Sequence, residues 1–424
     1  MRTALAAWVA MVMGGWGLLW SVPPQPVESR IPWVYDYAEG KRLAKASGKP
    51  MWVVFRCERC EACSDFDREV VRHDPEVARL AERFVPVRIQ SMNGKNIQLF
   101  QFEYDMSWMS FFMDAEDRFY ARYGGREDDA PDGLVSKASL LRTMEQVLEL
   151  HRQGAVQTRH EPTPEPVHIP EDIPTMHAHM RGQLNRCIHC HDVKAAQLRA
   201  RYADGTLTKE DAFTYPPPST IGLKLNTDRQ EYVEEVRPGS AADRGGLRKG
   251  DRLLAVDGYR ILTVGDLSRV LHVAPREAVL PVRFERDGQV RETRLELSGT
   301  WKRTADPSWR SSLHWIGPNG GFWAVPLKDE EKHRLGLADS AMGLRINFFF
   351  RNQTAPVRAG LQINDVLIEV DGLRQDWTPR QLHAYLQLHK NYGDKVPLTV
   401  LRDGREVKLT LELPEKPTWF TAAE

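Results

Sequence analysis

The sequence predicts a multidomain chain: an α/β domain first, a short helical segment next, and two copies of a small α+β domain last. Three observations predict this. Apolar runs alternate with amphipathic stretches from residue 30 to 153. A Pro-rich spacer, "HEPTPEPVHIPEDIP" at 160–174, then breaks the pattern. From about residue 219 the chain repeats itself, so that "GGLRKGDRLLAVDG" at 245–258 returns as "AGLQINDVLIEVDG" at 359–372. A length of 424 residues also exceeds one ordinary domain. Lys+Arg and Asp+Glu both total 58, so a net charge of zero gives no electrostatic reason for a nucleic-acid partner.

Residues 1–27 stand apart. "MRTALAAWVAMVMGGWGLLWSVPP" has Arg2 and then no charge from Ala4 to Val22. This reads as a membrane anchor or a signal peptide, with Arg2 on the cytoplasmic side and the rest exported to the periplasmic side of the inner membrane. No A-x-A-like site follows the apolar run, which favours an uncleaved anchor. In an exported chain disulfides persist and covalent haem attachment takes place.

Residues 28–154 form the α/β domain. "PMWVVF" is an apolar run with β-branched residues, a buried strand. "CSDFDREVV" and "DPEVARLAERF" read as helices, the second with Asp74 as N-cap and Pro75 in the first turn. "VPVRI" and "WMSFFM" read as strands, and "RFYARY" as the hairpin partner of the latter. "SKASLLRTMEQVLELHRQ" is an amphipathic helix with Ser136 as its cap.

All five cysteines fall in two clusters. "FRCERCEACSDFD" carries Cys57, Cys60 and Cys63 just after the first strand. The strand–CxxC–helix order resembles the thioredoxin-like fold. Counting from Phe55, the resemblance puts the redox pair on Cys60 and Cys63 and leaves Cys57 as an extra thiol. It implies a helix N-terminus at Cys60, whose partial positive charge favours thiolate. Cys60 would attack and Cys63 resolve, with Glu61 working against the thiolate. The proline that faces the pair in that family is absent here, and Trp108 lies closest to its place. A structural disulfide with one spare thiol, or a metal or iron–sulfur site, are the alternatives.

The second cluster, "RCIHCHDV" at 186–193, lies in the segment 155–218. It matches the c-type haem attachment motif C-x-x-C-H. Cys187 and Cys190 would form thioethers and His191 would coordinate iron. "TMHAHM" just upstream offers His179 or His177 as the second axial ligand. A structural zinc site on the two cysteines and nearby histidines is the alternative.

The repeats occupy 219–298 and 336–415, with a Trp-rich connector at 299–335 that reads as packing between them. They resemble PDZ domains. The resemblance implies capture of a partner's C-terminus, or of an extended peptide added to a sheet edge. Matching "IGLKL" to "MGLRI" places the carboxylate loops at Ile221, Gly222, Leu223, Lys224 and Leu225, and at Met342, Gly343, Leu344, Arg345 and Ile346. Asn364 replaces the turn glycine Gly250, and Asn tolerates positive φ. No G-x-S-x-G motif is present.

The order anchor, thioredoxin-like domain, C-x-x-C-H segment, PDZ, PDZ resembles the bacterial thioredoxin-like/PDZ domain-containing (seleno)proteins. The resemblance implies redox use of the first cluster. Two functions follow: an extracytoplasmic thiol–disulfide redox or electron-transfer protein recruited by its PDZ domains, or a non-enzymatic PDZ scaffold whose cysteines are structural.

Overall fold

A computed structural model describes residues 28–56, 65–106, 108–126, 130, 133–157, 167–182, 186–351 and 354–416. Helix α1, Tyr37–Ser47, starts where the Asp36 side chain accepts from the Glu39 N–H and stops at Gly48, which takes the left-handed conformation open to glycine. Strand β1, Met51–Phe55, follows with every residue buried. A π-type helix spans Phe66–Val71, and α2, Pro75–Ala81, carries the expected Asp74 cap and Pro75. Strands β2 (Val85–Ile89), β3 (Met109–Met113) and β4 (Phe119–Tyr123) precede α3, Lys137–Arg152, capped by Ser136. The sheet order is β2-β1-β3-β4, with β1 parallel to β2 and the other pairs antiparallel. A fully apolar β1 is what a central strand covered on both faces requires.

The cover of the two faces is unequal. Trp52 and Val54 pack with Val77 and Ala81 of α2 and with Leu140, Met144 and Val147 of α3. On the other face, Met51, Val53 and Phe55 meet Ala44 of α1 and then Ile173, Met176, Ile188, Val193 and Ala196. Those five residues belong to the second cysteine segment, which forms α4, Met176–His179, and α5, Cys190–Ala203. The sequence separates this segment at 155; in three dimensions it completes the core of the first domain. α1 alone is too short to cover the face. Complete burial of Ile188 and Val193 contributes roughly 1.5–3 kcal/mol each.

The first repeat contains β5 (Leu223–Leu225), β6 (Val233–Val236), α6 (Ala241–Arg244), β7 (Arg252–Val256), β8 (Tyr259–Arg260), α7 (Val264–Val273), β9 (Ala278–Arg286) and β10 (Gln289–Leu297). The second contains β11 (Phe322–Pro326), α8 (Asp329–Arg334), β12 (Leu344–Phe349), α9 (Ala355–Arg358), β13 (Val366–Val370), α10 (Pro379–His389), β14 (Lys395–Arg402) and β15 (Arg405–Glu412). Both repeat one ion pair, Arg286 with Asp251 and Arg402 with Asp365. Asn364 adopts φ 73° and Gly250 φ 91°, so the turn survives the exchange.

The first repeat is docked on the first domain. The Arg122 N–H of β4 donates to Asp266 Oδ1 at 2.8 Å, and Thr263 Oγ1 donates to the Arg122 carbonyl. Leu134 sits in the apolar core of the repeat beside Ile221 and Val264. Gln230 ties the two together: its Nε2 donates to the Leu134 carbonyl at 2.6 Å, and its Oε1 accepts from the Val264 N–H at 3.0 Å. The connector tryptophans do not pack between the two repeats as a group, and Trp323 belongs to β11 of the second repeat. Trp301 is buried in the first repeat, and Trp309 lies between the Arg126 and Arg310 guanidiniums.

Candidate functional site

Three places carry chemistry. At the first, β1 ends at Phe55 and Arg56 extends its pairing, donating to the Ile89 carbonyl at 2.9 Å. Cys57, Cys60, Cys63 and Glu61 lie outside the described residues. What surrounds the strand end is a buried charge cluster that sequence reading missed. Asp67, 1% exposed, accepts two hydrogen bonds from Arg88, at 3.1 and 2.8 Å. Arg56 and Arg72 stand 3.6 and 3.3 Å from the same carboxylate. Trp108, just before β3, donates from Nε1 to Asp67 Oδ1 at 3.1 Å. The indole therefore links the start of β3 to the helix behind the cysteine motif. A bidentate guanidinium–carboxylate pair gives this edge a fixed geometry.

The second place is the start of α5. Cys187 and Cys190 are half-buried thiols, not a disulfide. Between them Ile188 is plugged into the core, with its N–H held by Asn93 Oδ1 at 2.8 Å and its carbonyl by the Met92 N–H at 2.8 Å. This fixes the loop that spaces the two sulfurs. His191 is half exposed and stacks on His189 at 5.3 Å. His179 donates from Nε2 to Asp192 Oδ1 at 2.9 Å. Burial works to raise the Asp192 pKa, but this bond and the His189 N–H outweigh it and hold the carboxyl below its ordinary range. Burial also lowers the pKa of His191, and that of His314 in the turn Ser311–Trp315. Met176 is fully buried in the first domain's core. Cys190 thus opens α5, with the half-exposed His191 imidazole next in sequence. Among the described residues no three His, Cys, Asp or Glu side chains gather as metal ligands.

The third place is the pair of peptide grooves. In the first repeat, Gly222 has φ 83° and its carbonyl accepts from the Arg237 N–H at 2.8 Å. Val233 pairs with Asp251 and Gly250. The same pattern fixes the register of the second repeat. Gly321 has φ 76°, its carbonyl accepts from the Phe350 N–H at 2.9 Å, and Ile346 pairs with Asp365 and Asn364. Both strand pairs carry a bulge at the same point, Lys224/Leu225 and Trp323/Ala324. Gly321, Phe322, Trp323 and Ala324 therefore stand where Gly222, Leu223, Lys224 and Leu225 stand.

This corrects the sequence reading of the second loop. Met342, Gly343, Leu344, Arg345 and Ile346 lead into β12, an inner strand between β11 and β13. The error has a physical source. The second repeat carries an insertion, Leu327–Gly343 with α8, between its first two strands, and a chance Gly-Leu ends it. The domain therefore begins in the Trp-rich stretch, before residue 336. Lys224 and Arg345 both face carboxylates, Glu234 at 3.7 Å and Glu331 at 2.9 Å. In the second groove His383 of α10 is 8% exposed, packed by Phe322, Trp323 and Phe350.

Sheet order and repeat topology define a thioredoxin-like domain joined to two PDZ domains. Residues 32–115 match the thioredoxin-like family, and 232–286 and 345–413 match PDZ families. The chain is 47% identical over 56 residues to a protein of Rhizobium meliloti described as a zinc metalloprotease, covering 13% of this chain and 15% of that one. It is 24% identical over 203 residues to a DegP-like periplasmic serine endoprotease of Hahella chejuensis, covering 46% and 40%. Among solved structures it matches the HtrA-type protease AlgW with a decapeptide, with 18% identity and a TM-score of 0.24, covering 44% of this chain and 55% of that one. The chain thus spans less than half the length of these curated relatives.

Proposed function

We propose that this chain is an exported thiol–disulfide redox or electron-transfer protein that its PDZ domains recruit to C-termini or extended peptides. Residues 1–27 would hold it at the periplasmic side of the inner membrane or be cleaved; they lie outside the described residues. The observation that supports the redox reading most is the strand end at Phe55, just ahead of Cys57, beside Trp108 and buried Asp67. In this reading the Cys60 thiolate attacks a partner disulfide and forms a mixed disulfide, releasing one partner thiolate. Cys63 then displaces the second, leaving the Cys60–Cys63 pair oxidised and the partner reduced by two electrons. Cys187, Cys190 and His191 would hold haem c, which when bound supplies one-electron transfer. On the peptide side, the loops at Gly222 and Gly321 are the carboxylate sites.

The test is alkylation of the reduced protein across pH, read by mass spectrometry. Cys60 is expected to react first, and Glu61→Gln to speed it at neutral pH. Reaction of Cys57 first, or resistance of all three thiols until a metal is chelated, overturns the pair. Unreactive thiols without chelator, together with intact peptide binding, would leave the scaffold reading in its place.

A further inference from the structure

We infer that the second PDZ groove selects peptides with an aromatic residue, tyrosine above all, just before the C-terminus, and that the first groove does not. This rests on the peptide-capture reading of the PDZ domains and names the ligand class of one groove.

Backbone pairing matches the two repeats residue by residue. Lys224 of β5 pairs with Glu235 of β6, and Trp323 of β11 pairs with Phe348 of β12. The N–H groups of Arg237 and Phe350 donate to the carbonyls of the matched glycines, Gly222 and Gly321. Helices α7 and α10 both start from a threonine cap, Thr263 and Thr378, so His383 holds the place of Ser268. Four positions therefore change together. Lys224, Glu235, Arg237 and Ser268 of the first repeat become Trp323, Phe348, Phe350 and His383 in the second.

The four side chains of the second repeat form one surface. His383 stacks on Trp323 at 5.5 Å and lies 6.0 Å from Phe350, which meets Phe348 edge-on at 5.8 Å. His383 belongs to α10 and Trp323 to β11, so the surface spans both walls of the groove. Phe348 is left 46% exposed, while Trp323 and Phe350 are half-buried. Contiguous aromatic surface at a rim marks a binding site. The first repeat has exposed charges at the matched places, on Lys224, Glu235 and Arg237.

Two further features say what covers this surface. β11 is the outer strand of its sheet, so among the described residues its far edge has no strand partner and suits an extended chain. Within the aromatic surface, Nε2 of His383 is buried with no hydrogen-bond partner among the described residues. A buried polar atom left so is stabilised by any ligand group that reaches it. Tyrosine meets both demands. Its ring packs against the aromatic rim, and its hydroxyl, donor and acceptor at once, bonds the nitrogen in either tautomer.

The experiment uses the full chain and short peptides labelled at the N-terminus, read by fluorescence anisotropy. Each peptide carries Tyr, Phe or Ser at both positions before a C-terminal valine, and the Tyr peptide is also made amidated. The wild type should bind the Tyr peptide roughly tenfold tighter than the Ser peptide and about threefold tighter than the Phe peptide. Trp323→Lys and Phe348→Glu place the first repeat's residues in the second, and each should cut the Tyr-over-Ser preference below about threefold. His383→Phe should erase only the preference for Tyr over Phe. Thermal melting reports folding, and Phe348→Glu, at an exposed position, carries the test if Trp323→Lys does not fold. An unchanged Tyr-over-Ser preference in folded Phe348→Glu overturns this inference and leaves peptide capture standing. Equal binding of the free and amidated Tyr peptides overturns the capture reading itself. Self-association of the wild type that Phe348→Glu abolishes would make a second copy the occupant, and overturns the peptide.

Discussion

His383 shows how a single side chain reports on its groove. Its ring stacks on Trp323 at 6°, and its buried Nε2 has no hydrogen-bond partner among the described residues. Burial pushes its pKa from 6.5 down to about 4. Above pH 6.5 folded and unfolded chains are both neutral there, and nothing is lost. As pH falls from 6.5 to 4, the unfolded chain takes up a proton that the folded domain refuses. The second PDZ domain should therefore lose roughly 3 kcal/mol over that window from this residue. His383→Phe should flatten the dependence. Calorimetric melting of that domain between pH 7 and 4 checks it, and equal pH slopes for the two proteins would contradict it. Asp67 teaches the same lesson about sequence. The cysteine motif was legible, but the arginines around Asp67 come from distant segments, and no local spacing announces a buried charge cluster.

Among the elements, α7 is shaped by what lies on top of it. Gly265 sits in its first turn, where helix propensity alone would favour Ala by about 1 kcal/mol. A Cβ there would stand 2.6 Å from the Arg122 carbonyl oxygen and 3.1 Å from that of Gly124. Both atoms are backbone and neither yields cheaply, so overpacking of about 1–3 kcal/mol wins. Gly265→Ala is expected to destabilise the docked pair in urea unfolding, and a gain in stability would show the two domains are not in contact in solution. Strands and helices were mostly legible where period and caps agreed, as with Asp74, Ser136 and the turn at Asn364. β11 was not. "GGFWAVP" lies apart from the obvious repeat, and the insertion after it hides the correspondence that backbone hydrogen bonds reveal.

Across the whole molecule, the connector and the cysteine segment act as mortar between domains. Glu103 is buried against Arg310 at 3.2 Å, and burial opposes its charge. The guanidinium, Lys194 and the Thr214 hydroxyl nevertheless hold it below the ordinary carboxylate range. Lys209 reaches the carbonyls of Gln387, Lys390 and Ile316, closing the C-terminus of α10 from a segment far upstream. Domain count and order could be read from the sequence because each domain carries its own pattern. The way they interlock could not, since it depends on single long-range pairs.

The late start of the second PDZ domain has a consequence for anyone who cuts the gene. β11 forms the outer edge of its sheet and, among the described residues, pairs only with β12. A fragment cut at residue 336, where the visible repeat begins, loses that strand and bares the backbone donors and acceptors of β12. Two such fragments can then satisfy each other by strand exchange, and higher assemblies follow by the same route. Light scattering should find the fragment 336–416 self-associated and the fragment 316–416 monomeric. Equal behaviour of the two would mean that β11 is dispensable to the fold.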